Sequence, residues 1–244
     1  MSQLVYCISG LACVREKSGA RFELKVPDFR VRRGELIVIR GASGCGKSTL
    51  LDILGMILPP TTAECFDFHP AGGKRVAAAS AGERTRAALR RSEIGYVLQH
   101  GALVPYLTAL QNVELPLRLN GCMDKSTAHL MLARLKIEGQ ADKLPQFLSG
   151  GQRQRVAIAR ALAIKPPVVL ADEPTAAVDE LTASQIIQQL RQLSNDLGVT
   201  LILVTHNLLL ASELPARHFS FDLSQCAANH IVSTCHETEP PVRS

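Results

Sequence analysis

Residues 41–49, Gly41-Ala42-Ser43-Gly44-Cys45-Gly46-Lys47-Ser48-Thr49, match a glycine, four free positions and then Gly-Lys-Ser/Thr, and no other stretch constrains the chain as tightly. The flanks are those the pattern requires. Leu36-Ile37-Val38-Ile39 before it is short, apolar and β-branched, as a buried strand should be. After it, Leu50, Leu51, Ile53, Leu54 and Ile57 recur at helical spacing as far as Pro59-Pro60. A strand, a glycine loop and a helix start make an anion site, because glycines let successive backbone N–H groups turn inward and the helix dipole adds partial positive charge. Triphosphate is the natural occupant. Gly41, Ser43, Gly44, Cys45, Gly46 and Thr49 belong to this loop, Lys47 would neutralise β- and γ-phosphate oxygens, and Ser48 would ligate Mg²⁺ beside them.

At 244 residues the chain can bury one large core, so one domain with a subdomain is expected. The 27 basic residues against 22 acidic ones leave a mild formal charge of +5, spread along the sequence, which demands neither a nucleic-acid groove nor a polybasic membrane anchor. The seven cysteines are odd in number and irregularly spaced with no Cys-x-x-Cys pair, so a disulfide framework or zinc ribbon is not expected and a reducing cytosol suits them. Residues 1–10 lack the basic start and apolar core of a signal peptide, and no apolar run approaches bilayer length, so a soluble protein is expected. No internal repeat shows at the common periods.

Leu4 to Ile8 reads as a strand, and Phe22, Leu24 and Val26 alternate with polar residues before Pro27, followed by Phe29 and Val31, the pattern of a sheet with one covered face. Gly34-Glu35 turns the chain into the strand that feeds the phosphate loop. From Ala71 to Arg91 the chain is rich in Ala, Gly and Arg. Arg84, Arg86, Arg90 and Arg91 read as a solvated helix face, because no aromatic residues interleave with them. Ile94 to Leu98 is strand-like and ends at Gln99. Between Gln99 and Leu148 strand signals vanish, and Leu130, Leu132 and Leu135 with Ala128 and Ala133 predict helix, hence a mostly helical subdomain.

Leu148-Ser149-Gly150-Gly151-Gln152 leads into Val156, Ile158, Ala159 and Leu162, a helical run stopped by Lys165-Pro166-Pro167. Ser149 and two glycines at a helix start form a second place where backbone donors and a hydroxyl meet an anion. Val168-Val169-Leu170-Ala171 is an apolar strand ending in Asp172-Glu173, and carboxylates at the tip of a buried strand are costly unless something there needs them. In open α/β sheets ligands bind at that tip, so these acids and the phosphate loop are expected to face one another. Ile187, Leu190, Leu193 and Leu197 predict a helix capped by Gly198, and Thr200 to Val204 a strand ending at Thr205-His206. Alternating strands and helices imply a mostly parallel sheet with helices on its faces. Asp172 suits a Mg²⁺ ion held through water, Glu173 a water polarised for attack on γ-phosphate, and His206 a hydrogen bond that positions that water.

In this order, the phosphate loop, Gln99, Leu148-Ser149-Gly150-Gly151-Gln152 running into Arg-Gln-Arg-Val-Ala-Ile-Ala-Arg-Ala-Leu, Asp172-Glu173-Pro174-Thr175, Asp179 and His206 resemble the ATP-binding subunit of ABC transporters over nearly the whole chain. Gly95-Tyr96-Val97-Leu98-Gln99, Leu107-Thr108-Ala109-Leu110-Gln111-Asn112-Val113 and the run from Leu170 to Ala177 are similar to the bacterial subgroup of lipoprotein-releasing and macrolide-exporting ATPases. The resemblance implies an α/β P-loop NTPase (RecA-like) core with an antiparallel β subdomain near the N-terminus. A helical subdomain at about 100–160 would be inserted in an ATP-binding domain of residues 1–222, followed by a tail of residues 223–244. It implies ATP and Mg²⁺, and a head-to-tail homodimer in which Ser149, Gly150 and Gly151 act in trans on the other chain's nucleotide, with Gln152 among the nucleotide-binding residues. Gln99 would sense γ-phosphate and metal while its loop touches a membrane permease, and Asp179 would couple the two sites. The location implied is the cytoplasmic face of the membrane, with no nucleic-acid partner. The alternative, a soluble ABC ATPase acting on DNA or ribosomes, would place a long heptad coiled coil between Gln99 and Leu148 or two ATPase units in one chain, and neither is present.

Three departures stand out. Ala12-Cys13-Val14-Arg15 has no aromatic residue where the family stacks adenine, so Arg15 or Phe22 is expected to take that part. Ala176-Ala177-Val178-Asp179 replaces a usual Ser-Ala-Leu-Asp, and Asn207 stands where Asp is common; both are expected to tune the rate. Cys45 occupies a free loop position, its thiol expected close enough to the phosphates for a bulky reagent to block ATP. Cys226, His230, Cys235 and His236 fit no standard zinc spacing, and from about Leu223 onward the chain is expected to be a loosely held appendage.

Overall fold

The computed structural model describes all residues except 1–3, 18, 100, 123, 177, 228 and 242–244, together with the side chains of residues 17, 125, 208 and 210. The expectations on the first three residues, on Ala177 and on the last three therefore lie outside the described residues. The chain divides into two compact units, Met1–Arg90 with Ile202–Ser244, and Arg91–Leu201.

The first unit opens with β1 (Leu4–Lys17) and β2 (Ala20–Arg32), an antiparallel pair. Then come β3 (Leu36–Ile39), α1 (Lys47–Leu54), β4 (Cys65–Phe68), β5 (Val76–Ala77) and α2 (Glu83–Ser92). β4 pairs antiparallel with β1, and β5 with β4. Tyr6 and Ile8 on β1 are buried, then Leu11 and Cys13; opposite them Phe29 and Val31, then Val26 and Leu24. Both strands thus exchange their buried face at the same rung, next to Pro27, which explains why the sequence alternation slips by one residue there. Tyr6 stacks on Phe68 at 5.2 Å and its hydroxyl donates to the Leu54 carbonyl at 2.8 Å, tying the end of α1 to the strands. α1 stops at Leu54, short of the expected Ile57, because Gly55 caps it and Met56 takes a left-handed φ of 59°; Ile57 is half exposed. On α2 only Leu89 is buried; Arg86 and Arg90 both pair with Glu83, and Arg90 also donates to the Met56 carbonyl.

The end of the chain departs from expectation. After β8 (Thr200–Val204), which straddles the boundary of the units, and α7 (Leu208–Glu213), residues Arg217–Ala227 form β9 and His230–Thr238 form β10. The proposed boundary at residue 222 falls inside β9, and the segment taken for a loose appendage is part of the sheet, whose order in this unit is β5-β4-β1-β2-β10-β9-β3. β10 runs parallel to β2 and antiparallel to β9, and β9 runs parallel to β3. A strand with neighbours on both edges and cover on both faces buries consecutive residues, as Val232 and Ser233 are, so it lacks the alternation that announces a half-exposed strand. Phe219 on β9 meets Phe29 at 4.6 Å. Of the cysteines of this segment, Cys235 on β10 is buried while Cys226 on β9 is exposed.

The second unit contains β6 (Ile94–Val97), α3 (Ala109–Leu119), α4 (Lys125–Arg134), α5 (Gly150–Leu162), β7 (Val168–Asp172) and α6 (Glu180–Asp196), with single 3₁₀ turns at Glu138–Gln140 and Pro145–Phe147. β6 and β7 pair in parallel. The strands at Leu36–Ile39, Val168–Asp172 and Thr200–Val204 lie where the apolar runs place them. α4 buries Ala128, Met131 and Leu132, with Leu135 just beyond, whereas Leu130 points outward. α3 begins with a reciprocal cap, Thr108 accepting from the Gln111 N–H and Gln111 from that of Thr108. Fully buried Asn112 donates to the Val104, Leu107 and Thr108 carbonyls and accepts from the Val104 N–H, fixing the approach to that helix.

His218 on β9 is buried. Desolvation first, and the Arg40 charge second, lower its pKa below the usual histidine value, with the Leu214 backbone opposing weakly. The unfolded chain therefore binds a proton that the folded chain refuses, so stability is fully present above about pH 6.5 and falls as pH drops below it. Urea midpoints are expected to be lower at pH 5.5 than at pH 8, and His218→Gln is expected to flatten that difference.

Candidate functional site

The predicted site residues fall in both units: Arg15, the phosphate loop and His206 in the first, and Gln99, Ser149 to Gln152, Asp172, Glu173 and Asp179 in the second. In the first, β3 delivers the chain at Arg40 into the loop, and α1 begins at Lys47, the residue after Gly46. Gly46 has φ 103°, and a Cβ there would stand 3.1 Å from Phe22 and 3.4 Å from Leu24 of β2, so only glycine fits both the conformation and the space. The buried Lys47 ammonium donates to the Gly41 and Ala42 carbonyls, each at 2.8 Å. Those two bonds hold a full positive charge inside the loop, at the head of a helix whose first N–H groups have no helical acceptor. Ser43, Gly44 and Ser48 are exposed, and Thr49 is buried beneath the helix start.

Cys45 departs from expectation. Its side chain is buried, and its sulfur lies 2.6 Å from where a Gly41 Cβ would be, so the thiol packs under the loop and not toward its occupant. Burial pushes the thiol pKa up, while the Lys47 charge and the Lys47 and Cys45 N–H groups pull it back by less. Around the loop, exposed Arg15 sits across the β1–β2 ladder from Phe22, whose ring reaches Gly46, so both candidates for the base are neighbours at one edge of the loop. The Thr205 N–H donates to the Ile39 carbonyl at 3.1 Å, which puts exposed His206, one residue past the end of that bond, beside the strand that enters the loop.

In the second unit, Ser149 caps α5: its hydroxyl accepts from the Gln152 N–H at 3.2 Å and Gln152 accepts from the Ser149 N–H at 2.9 Å. The Ser149 hydroxyl keeps its proton for donation and sits at the N-terminus of a thirteen-residue helix, a donor set suited to an anion. Gly151 packs closely on α6, since a Cβ would lie 3.0 Å from the Thr182 methyl and would make it give way. Asp179 caps α6 through the Thr182 N–H at 3.0 Å, and that backbone bond, with the Thr182 side chain, holds its carboxyl below the usual range. Asp172 ends β7 half-buried, and Glu173 follows in a left-handed conformation with φ 44°, a strained setting for a non-glycine residue. Gln99 Nε2 donates to Glu173 Oε2 at 3.5 Å, so the structure brings these two predicted residues together.

One residue that sequence reasoning passed over organises the segment after Gln99. Arg160 of α5 donates to the Gly101 carbonyl at 2.8 Å and the Ala102 carbonyl at 2.9 Å, and Gln154 reaches the Leu98 carbonyl at 3.5 Å. Burial lowers the Arg160 pKa without neutralising it. Gly101 and Ala102 are both left-handed, with φ 73° and 41°, so the turn presents its carbonyls to the guanidinium. A sequence signal existed, an arginine amid the apolar run of α5, but it reads equally as the polar face of a helix.

A family model described as ABC transporter matches residues 24–176. This chain belongs to that family. The ABC protein "Lipoprotein-releasing system ATP-binding protein LolD" of Xylella fastidiosa is 42% identical over 183 residues, 74% of each chain. "Macrolide export ATP-binding/permease protein MacB" of Bartonella quintana is 41% identical over 77% of this chain, which spans 28% of that longer protein. Among solved structures, the dimeric post-hydrolysis state of the ATP-binding cassette MJ0796 bound to ADP and Pi superposes with a TM-score of 0.77 at 35% identity, covering 88% of this chain and 93% of that one. MJ0796 is a Methanocaldococcus jannaschii protein. The fold is accordingly the α/β P-loop NTPase fold with a mixed sheet, and the lipoprotein-releasing and macrolide-export subgroup is the one the motifs pointed to.

Exposure of the cysteines makes the reversal at Cys45 measurable. Brief alkylation of the native ABC protein at neutral pH is expected to modify exposed Cys122 and Cys226 first, with buried Cys45 and Cys235 at least about tenfold slower, as peptide mass spectrometry would read. Rapid labelling of Cys45 would contradict the buried position.

Proposed function

We propose that this chain is the ATP-binding and hydrolysing subunit of an ABC transporter, working as a head-to-tail homodimer on a separate membrane permease of the export or lipoprotein-release type. The observation that carries the reading is the phosphate loop, where the buried Lys47 ammonium is pinned to the Gly41 and Ala42 carbonyls at the start of α1. Triphosphate oxygens offer that ammonium stronger, charged acceptors than neutral carbonyls, so the loop is poised to exchange partners. The exposed Ser43 and Gly44, with Gly41, Cys45, Gly46, Ser48 and Thr49, complete the backbone cradle. Arg15 and Phe22 hold the base by stacking at the edge of the loop.

Ser48, Gln99 and Asp172 supply only oxygen donors to a cation, which suits Mg²⁺, and among the described residues no three His, Cys, Asp or Glu side chains gather into a metal-binding group. Bound there, the ion would supply charge neutralisation at the phosphates. Glu173 accepts a proton from the attacking water, Gln99 beside it orients the pair, and His206 positions the water against γ-phosphate. Ser149, Gly150, Gly151 and Gln152 close over the partner chain's ATP through the capped start of α5, with Asp179 linking the two sites. ATP binds the closed dimer better than ADP and phosphate do, so hydrolysis releases it. The helical stretch at about 100–160 is the inserted subdomain that, with the Gln99 segment, meets the permease. No helix among the described residues is long and apolar enough to cross a membrane. Attachment through that permease, at the cytoplasmic face, is part of the proposal.

Lys47→Ala is expected to weaken ATP binding by about 10- to 100-fold, the size of lost hydrogen bonds to a charged group. Glu173→Gln is expected to keep ATP affinity, stop turnover and elute as an ATP-dependent dimer on gel filtration. Turnover by Glu173→Gln at the unmodified rate would remove Glu173 from its role, and detergent extracts in which no membrane protein accompanies the chain would favour a soluble ABC ATPase.

A further inference from the structure

The phosphate loop rests on the two last strands of the chain. Ser233 of β10, wholly buried, donates its hydroxyl to the Cys45 carbonyl at 2.6 Å. A Cβ on Gly41 would stand 3.3 Å from the Phe221 ring of β9, and Phe221 is the ladder partner of Cys235, two residues beyond Ser233 on the same face of β10. Ser233 itself pairs with Leu24, which with Phe22 touches the Gly46 position. The loop therefore has a floor made of β2, β10 and β9, to which the Ser233 hydroxyl ties it by a side-chain hydrogen bond.

Peptide planarity gives that tether a direction. In a trans peptide the carbonyl of one residue and the N–H of the next point opposite ways in a shared plane. A Cys45 carbonyl drawn down onto Ser233 turns the Gly46 N–H up, away from the floor. Gly46 has no Cβ and φ 103°, so side-chain sterics do little to hold this peptide against rotation. Without the hydroxyl, the carbonyl would be left buried without a partner, and the peptide would gain by turning over.

Resting on the assignment of this loop to nucleotide phosphate, we propose that Ser233 is a positioning residue for nucleotide binding, which aims the Gly46 N–H at the phosphates by anchoring the Cys45 carbonyl. It touches no substrate. The bond it aims is made to ground state and transition state alike, so its loss raises KM and leaves kcat nearly unchanged.

The test compares the full chain with Ser233→Ala and Ser233→Thr, measuring ATP and ADP affinity by calorimetry, steady-state ATPase, and the melting temperature without nucleotide. Ser233→Ala is expected to weaken both nucleotides about tenfold, with kcat at saturating ATP within about twofold of the starting protein. Ser233→Thr, which keeps the hydroxyl, is expected to restore affinity to within about threefold. A lower melting temperature with unaltered nucleotide affinity in Ser233→Ala would show a merely structural serine and overturn the assignment. Should Ser233→Ala not be recoverable as folded protein, Ser233→Cys, a weaker donor in the same place, takes its part with the same expected and overturning results. A starting protein that binds no nucleotide defeats both readings, whereas normal binding with an unaffected variant defeats only this one.

Discussion

The structure turns on the direction of a few backbone N–H groups between residues 41 and 49. A triphosphate is recognised mainly by charge and by amides that already point at it, and amides on a glycine-rich segment have no side chains to hold them. Rigidity must come from outside the segment. Here it comes from α1, whose last carbonyl is tied to Tyr6, from Phe22 and Leu24 filling the space a side chain at Gly46 would need, and from Ser233 beneath. Strands from both ends of the sequence are thus committed to nine residues near its start, and the order β2-β10-β9-β3 is what brings them there.

What could be read in the sequence follows from which interactions leave a periodic mark. The strands at Leu36–Ile39, Val168–Asp172 and Thr200–Val204 are continuous apolar runs, and the motif residues carry fixed spacings, so both were legible. β9 and β10 were not, because a strand enclosed on both edges buries residues on both faces, and here some of them are polar: His218 and Ser233. The end of α1 was overrun because Ile57 continues the helical spacing, while the cap at Gly55 and the left-handed Met56 act through backbone conformation. Cys45 was misplaced for a related reason: a free position in a motif says that side chains vary there and nothing about which way they point.

The candidate site shows the same division. Lys47, Glu173 and Ser149 announce themselves by residue type and spacing. The groups that hold them do so through carbonyl oxygens, which every residue possesses and no sequence pattern displays. Arg160 acts on the carbonyls of Gly101 and Ala102, Asn112 on those of Val104, Leu107 and Thr108, and Ser233 on that of Cys45. Asn112 and Ser233 are buried and Arg160 partly so, each satisfied by backbone, and each would be expensive to bury otherwise. Buried polar residues between apolar neighbours are therefore where sequence reading should have looked for support of the site.

The bonds of Lys47 bear on how a nucleotide would be held. Its ammonium donates to two loop carbonyls, which fixes where the charge sits within the loop. An incoming phosphate needs to displace neutral acceptors with charged ones, an exchange that is downhill and requires no large rearrangement. Pre-organisation of this kind lowers the ordering cost of binding and places affinity in the phosphates more than in the base. That suits the proposed base contacts, Arg15 and Phe22, a guanidinium and a half-exposed ring on adjacent strands in place of one dedicated aromatic. On the proposed function, a site built this way would discriminate by phosphate number before it discriminates by base, which is the selectivity a switch between triphosphate and diphosphate states requires.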